Sequence, residues 1–173
     1  LRSAQTLRFY ATEAQTFGGE VYPQDDPDMQ VYSLREPLGV VSAITPWNFP
    51  VSIPSRKIAP ALATGNTVVF KPSSDAPLSG FRLAEALVDA GLPAGVLNFI
   101  TGSAAEVGLT LTQAPEVRAI TFTGSTAAGE RIHRAAALTT RVQLELGGKN
   151  PLIVMEDADL DHAVDLAIKG GLA

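Results

Sequence analysis

The stretch of sequence that decides the fold is RAITFTGSTAAGERIHRAAA, residues 118–137. A short run rich in β-branched and apolar residues, Arg118–Thr123, predicts a strand, and the residues from Ser125 to Ala137 predict a helix. Gly124 lies between them, where glycine permits a sharp turn and a close approach to the backbone. The stretch therefore predicts a strand that runs directly into a helix, which is the unit of an α/β fold.

This unit recurs along the chain. The strand Val96–Thr101 is followed by Gly102 and by Ser103-Ala-Ala-Glu106, the signature of a capping box at a helix start. The pattern Pro77–Ala90 predicts another helix, which ends at Gly91. The remaining predicted elements are a polar helix over residues 1–16, a loop over 21–30, strands at Val40–Thr45, Thr67–Lys71, Val142–Leu146 and Leu152–Met155, and a helix from Leu160.

The predicted strands are short and apolar, without clean alternation, as is typical of strands that are buried on both faces of a parallel sheet. Their alternation with helices predicts a doubly wound, Rossmann-like α/β sheet with helices on both faces. Ligands of such sheets bind at the carboxyl ends of the strands. The turns that follow the strands are therefore the places to search for function.

The composition restricts the classes of function. The chain has 173 residues, a net charge of −5, no cysteine and two histidines. The acidic balance argues against nucleic acid and anionic membranes as partners, and no apolar run approaches the length of a membrane span. We expect no metal site and no thiol nucleophile within the chain. Leu1 and Ala173 interrupt helix-like sequence, so we expect a piece of a longer, cytoplasmic protein.

The first candidate site is Thr45-Pro46-Trp47-Asn48-Phe49-Pro50, directly after a predicted strand. Its two prolines restrict the backbone and predict a rigid loop. Such a loop can hold the Asn48 amide as a pre-organised donor to a developing oxyanion. The alternative is a tight turn in which Asn48 binds its own backbone and Trp47 packs.

The second candidate is Val68-Val69-Phe70-Lys71-Pro72-Ser73-Ser74. A lysine at the end of an apolar strand, followed by two hydroxyl residues, can bind a ribose or a phosphate. The alternative is an ordinary surface lysine, with Ser74 or Asp75 capping the next helix.

The third candidate is the turn Gly124-Ser125, at which a helix begins. The free N–H groups of a helix N-terminus suit a pyrophosphate, and Gly102-Ser103 repeats the layout. Neither turn has the G-x-G-x-x-G or Walker pattern, and many strand–helix turns look the same.

The fourth candidate is Leu144-Glu145-Leu146-Gly147-Gly148-Lys149. A carboxylate flanked by leucines is expected to be poorly solvated, an environment that suits a general base. The alternative is a strand-end glutamate that is paired with Lys149 or Arg141.

Together, these motifs resemble the aldehyde dehydrogenase superfamily, in the same order and from about Arg35 to the end of the chain. The resemblance implies oxidation of an aldehyde to an acid with NAD or NADP. In that family a cysteine thiolate attacks the aldehyde, hydride passes to the nicotinamide, and water hydrolyses the thioester. The sequence looks most similar to members that act on small acid semialdehydes, such as succinate or 2-oxoglutarate semialdehyde.

The resemblance also implies roles for residues. Asn48 would be an oxyanion-hole donor and Glu145 the general base. The resemblance also divides the chain into two parts. Residues 1–36 would form a helix and the start of an oligomerisation hairpin at Val31–Pro37, and residues 37–173 would form a dinucleotide-binding domain. The hairpin implies a homo-dimer or tetramer. The residues expected to contact the cofactor are Ile44, Thr45, Pro46, Trp47, Lys71, Ser74, Gly102, Gly124, Ser125, Leu146 and Gly147.

Two features depart from the family pattern. Many NAD-preferring members have glutamate three positions after the lysine, where this chain has Ser74. A carboxylate repels a 2′-phosphate and a serine can bind it, so we expect NADP or dual use. The chain also contains no cysteine, and the nucleophile is expected beyond Ala173, so that the piece alone is inactive.

Two other functions compete with this interpretation. One is a non-catalytic dinucleotide-binding scaffold, which would have no chemical need for Asn48 and Glu145. The other is an acyl-phosphate reductase of the same superfamily, which would not need the water-activating Glu145. Both residues therefore favour the dehydrogenase.

Overall fold

The computed structural model describes residues 2–172. Leu1 and Ala173, which were expected to interrupt helices, lie outside the described residues. Numbered in chain order, its elements are α1 (Arg2–Thr16), β1 (Val21–Tyr22), β2 (Val31–Tyr32), β3 (Val40–Ile44), α2 (Ser52–Ala63), β4 (Thr67–Lys71), α3 (Pro77–Asp89), β5 (Leu97–Phe99), a π-helical turn (Ala104–Gly108) that continues into α4 (Leu109–Gln113), β6 (Val117–Thr123), α5 (Thr126–Ala135), β7 (Arg141–Glu145) and α6 (Leu160–Leu172).

Five strands form the central sheet, in the order β5-β4-β3-β6-β7, and all neighbours are parallel. The chain builds outward from β3 to β5, then returns to place β6 on the other side of β3. This reversal of strand order is the switch point of a doubly wound sheet. The predicted fold class is confirmed.

Each face of the sheet has its own core. On one face, α2 and α3 cover β3 and β4, and Ile58, Phe70 and Leu83 are buried there. On the other, α4 and α5 cover β6, and Leu111 and Ile120 are buried. Burial of large apolar side chains on both faces explains why the strand sequences do not alternate.

The helix α2, which contains Pro54 and Pro60, was not predicted from the sequence. Pro54 lies in the first turn, where N–H groups have no helical partner and a proline costs little. Pro60 lies inside the helix, whose last turn is closed by Thr64 Oγ1, which donates to the Pro60 carbonyl at 2.8 Å. The tertiary burial of α2 therefore outweighs its weak helical pattern.

The predicted strand Leu152–Met155 is wrong. These four residues form no strand, and their side chains are 46–78% exposed. An apolar run becomes a strand only where a neighbouring strand satisfies its backbone. The helix predicted from Leu160 is present as α6, and its apolar side chains are largely exposed, including Leu160, Val164 and Ile168.

The segment before the sheet holds a small hairpin. β1 pairs with β2 in antiparallel register, so a strand lies inside the region predicted as a loop over residues 21–30. The helix α1 packs against α2. Among residues 2–172, no helix is both long and apolar enough to cross a bilayer.

Candidate functional site at the carboxyl edge of the sheet

The carboxyl ends of the five parallel strands meet along one edge, and all four candidate motifs lie there. Ile44 is opposite Lys71 on one side and opposite Phe122 on the other. The turn after β6 is joined to β7 by a bond from Gly124 N to the Glu145 carbonyl at 3.1 Å. The fold therefore brings motifs from distant parts of the sequence to one edge.

The loop after β3 presents Asn48 at the surface. Its Oδ1 accepts a bond from the Phe49 N–H at 3.1 Å, which is the backbone contact of the tight-turn alternative. That bond uses the amide oxygen and leaves the Nδ2 hydrogens to donate, as an oxyanion site requires. The Trp47 side chain is 64% exposed, so it does not pack as that alternative expected.

Two buried residues at the end of β3 anchor this loop to the sheet. Ile44 and Thr45 are at most 9% exposed, and Thr45 N donates to the Lys71 carbonyl at 3.2 Å. Pro46 is half-buried. Within residues 2–172, Thr45 Oγ1 is a buried polar atom that has no hydrogen-bond partner. A buried hydroxyl without a partner is costly, which suits a position where a ligand supplies one.

Lys71 ends β4 and is buried, at 5% exposure, so the surface-lysine alternative is wrong. Its Nζ donates to the Pro72 carbonyl at 2.8 Å, and burial lowers the pKa of this ammonium. The helix-capping alternative is also wrong, because α3 begins after Ala76 without a side-chain cap and has Pro77 at its first position.

Ser74 connects the turns after β4 and β5. Its hydroxyl donates to the Gly102 carbonyl at 3.3 Å. Gly102 has a φ of 142°, a conformation that favours glycine. The capping box that follows is confirmed, since Ser103 and Glu106 bond reciprocally. Those bonds lower the pKa of Glu106. Ser74 and Gly102 thus lie beside Lys71 on the same edge.

The turn after β6 requires a glycine because of internal packing. A Cβ at Gly124 would collide with the ring of Phe122. Ser125 is the N-cap of α5, and its Oγ accepts from Ala128 N at 3.3 Å. The hydroxyl hydrogen stays available to an anion, alongside the unpaired N–H groups of the first helical turn.

Leu146 and Gly147 lie over the start of the same helix. A Cβ at Gly129 would lie 2.5 Å from Leu146 Cδ2, and a Cβ at Gly147 would lie 3.9 Å from Thr126 Oγ1. The segment after β7 and the N-terminus of α5 therefore form one continuous surface.

Glu145 is exposed, which corrects the expectation of a poorly solvated carboxylate. Successive side chains of a strand point to opposite faces, so the half-buried Leu144 does not shield it. The alternative pairing with Arg141 or Lys149 is also wrong among the described residues. The side-chain partner of Glu145 is Gln143, whose Nε2 donates to Oε1 at 2.9 Å.

Lys57 of α2 is a buried charge that was not predicted from the sequence. It is 7% exposed and its Nζ donates to Thr121 Oγ1 at 2.8 Å and to Gln143 Oε1 at 3.5 Å. Burial lowers its pKa to about 8, and the nearby Glu145 carboxylate partly opposes that shift. The available signal was a lysine inside the apolar run of α2.

The edge fits a dinucleotide better than a metal. No group of three or more acidic or histidine side chains suited to a metal occurs within residues 2–172. The free helix N-terminus at Ser125, the buried ammonium of Lys71 and the unpartnered hydroxyl of Thr45 all suit a phosphate- and hydroxyl-rich ligand. A doubly wound sheet with such turns is the fold class of dinucleotide-binding domains.

Comparison with known proteins identifies the family. The profile of the Aldehyde dehydrogenase family matches residues 1–173, and the chain belongs to that family. Its resemblance to the superfamily, first identified from four motifs, is confirmed.

Known relatives are similar in sequence over nearly the whole chain. It is 49% identical over 173 residues to 2,5-dioxopentanoate dehydrogenase of Saccharolobus solfataricus, covering 98% of the chain and 36% of that protein. It is 49% identical over 171 residues to the mitochondrial succinate-semialdehyde dehydrogenase of Arabidopsis thaliana, covering 98% of the chain and 32% of that protein. The chain therefore spans about a third of the length of these relatives.

A solved structure gives the same result. The NADP-dependent glyceraldehyde-3-phosphate dehydrogenase of Bacillus halodurans, complexed with NADP, is similar at a TM-score of 0.90 and 45% identity. The similarity covers 99% of this chain and 37% of that one.

Proposed function

We propose that this chain is the dinucleotide-binding part of an aldehyde dehydrogenase that oxidises a small acid semialdehyde to the carboxylic acid. The proposed cofactor is NADP, or both NADP and NAD. The observation that carries the proposal is the convergence of Asn48, Lys71, Ser125 and Glu145 on the carboxyl edge of one parallel sheet.

The cofactor would lie along this edge. Lys71 and Ser74 would bind the adenosine ribose and its 2′ substituent, beside Gly102. Ser125 and the first N–H groups of α5 would bind the pyrophosphate. When bound, the nicotinamide supplies the hydride acceptor for the oxidation.

The remaining contacts would line the cleft. Leu146 and Gly147 would lie at the nicotinamide end of this cleft. The other residues that would line the cleft are Ile44, Thr45, Pro46 and Trp47. Ser74 in place of a carboxylate supports NADP, because it removes the charge that would repel a 2′-phosphate.

The two catalytic residues divide the chemistry. Asn48 would donate from Nδ2 to the oxygen of the tetrahedral intermediate, since its Oδ1 is already bonded to the backbone. Glu145 would accept a proton from the water that hydrolyses the acyl-enzyme. Its exposure leaves the carboxylate accessible to that water.

The nucleophile would come from a part of the protein outside this chain, which contains no cysteine. The much greater length of the relatives supports this assignment. A cysteine in the coding sequence soon after Ala173 is the expected result. Its absence there would favour a nucleotide-binding scaffold.

We propose that the hairpin β1–β2 and the following residues to Pro37 join subunits into a homo-dimer or tetramer, because Val21, Tyr22 and Tyr32 are exposed there. A cytoplasmic location also stays a prediction. Light scattering of the full-length enzyme and fractionation of cells that produce it would test the two.

The decisive experiment compares Glu145→Gln with wild type in the full-length enzyme. Rapid mixing with NADP and succinate semialdehyde should give an undiminished burst of reduced cofactor, followed by a stalled steady state. Glu116→Gln is the matched control, since Glu116 lies just before β6 at the opposite edge of the sheet. An unchanged steady-state turnover of Glu145→Gln would rule out the general-base assignment.

A further inference from the structure

Glu145 belongs to a hydrogen-bonded chain that begins at a buried ammonium. Residues Thr121 and Gln143 are paired across β6 and β7, and both point to the face that carries Glu145 two positions on. Lys57 Nζ donates to Thr121 Oγ1 at 2.8 Å, and the Thr121 hydroxyl donates in turn to Gln143 Oε1. At the other end, Gln143 Nε2 donates to Glu145 Oε1 at 2.9 Å.

The direction of this chain is chemically fixed. The ammonium of Lys57 has only donors and the carboxylate of Glu145 only acceptors. Each side chain between them must therefore accept a bond on the lysine side and donate one on the glutamate side. An amide does both. Lys57 and Thr121 therefore hold the oxygen of Gln143, and its nitrogen necessarily turns towards Glu145.

A glutamate in this position needs such a restraint. Glu145 is exposed, on the outer strand β7 of the described sheet. A free glutamate side chain samples many rotamers. A general base must instead remain within hydrogen-bonding reach of its water, and a displacement of about 1 Å can cost about a hundredfold in rate.

We propose that Gln143 is a positioning residue that holds the Glu145 carboxylate by Oε1 and leaves Oε2 for the hydrolytic water. The proposal rests on the function of Glu145 proposed above. Because an amide does not readily relay protons, Gln143 orients the base rather than conducting its proton. Thr121 and Lys57 act one step further away, by fixing the amide.

The test uses Gln143→Met in the full-length enzyme, which keeps the length of the side chain and removes both bonds. Steady-state turnover should fall by about tenfold to a hundredfold, with an unchanged burst of reduced cofactor and an unchanged KM for NADP. Gln113→Met, at the exposed end of α4, is the matched control and should behave as wild type.

A second variant guards against misfolding. Gln143→Glu keeps an acceptor for Lys57 and Thr121 but cannot donate to Glu145, so hydrolysis should slow in the same way. Wild-type turnover in either variant would overturn the proposal.

A double-mutant cycle separates positioning from a general structural effect. If Gln143 acts through Glu145, then Gln143→Met should have almost no further effect in a Glu145→Gln background. A loss of equal size in both backgrounds would refute the positioning role. If Glu145→Gln itself leaves turnover unchanged, the general base fails, and the positioning role fails with it. If Glu145→Gln stalls and Gln143→Met does not, only the positioning role fails.

Discussion

Replacing the buried Lys57 by methionine should change how the stability of the protein depends on pH. The pKa of Lys57 is lowered from 10.5 to about 8 in the folded protein. Below about pH 8 the folded and unfolded states are both protonated, and the folded state bears the cost of a desolvated charge. Above it, the folded state releases the proton first. The unfolded state then binds more protons, so the free energy of unfolding rises with pH.

The size of the effect follows from the shift. A difference of 2.5 pKa units, at 1.36 kcal/mol per unit, gives a full amplitude of about 3.4 kcal/mol. Most of this amplitude develops between pH 8 and pH 10.5, the pKa values of Lys57 in the folded and unfolded states. From pH 7 to pH 9.5, the free energy of unfolding of wild type should rise by about 2 kcal/mol more than that of Lys57→Met.

Urea unfolding of both proteins at several pH values, followed by circular dichroism, measures this gain. The charged groups around Lys57 are Glu145 and, along the same cleft, Glu13, Arg35, Glu36, Arg56 and Arg141. Their titration is shared by the two proteins and largely cancels in the difference. Parallel stability curves for wild type and Lys57→Met would refute the lowered pKa.

Two further variants of the full-length enzyme test the site. Asn48→Ala should lower kcat by about a hundredfold to a thousandfold with little change in cofactor affinity, because it removes one oxyanion donor; a loss below about tenfold would contradict that role. Ser74→Glu should weaken NADP binding more than NAD binding, as measured by calorimetry. Equal losses for the two cofactors would show that Ser74 does not face the ribose 2′ position.

The local parts of the fold were predictable from the sequence. Strands such as Thr67–Lys71, the turn at Gly124 and the capping box at Ser103 depend on residues close in sequence, and the structure has all three. Their common edge was also predictable, because it follows from the rule for parallel sheets.

What failed depends on contacts across the fold. The run Leu152–Met155 has the composition of a strand but forms none. The solvation of Glu145 was misjudged because its sequence neighbours point to the other face of the sheet. The contact between Lys57 and Gln143 joins residues 86 positions apart, and no local pattern reports such a contact.

The order of strands in the sheet has a consequence for how the protein is made. The buried residues of the core between β3 and β5 all lie between Val41 and Leu97. A nascent chain can therefore condense this half on the ribosome before β6 has been synthesised. Until β6 arrives, one flank of β3 offers an open backbone edge to any other strand nearby. The risk of mispairing during synthesis is thus concentrated in the interval between Leu97 and Val117.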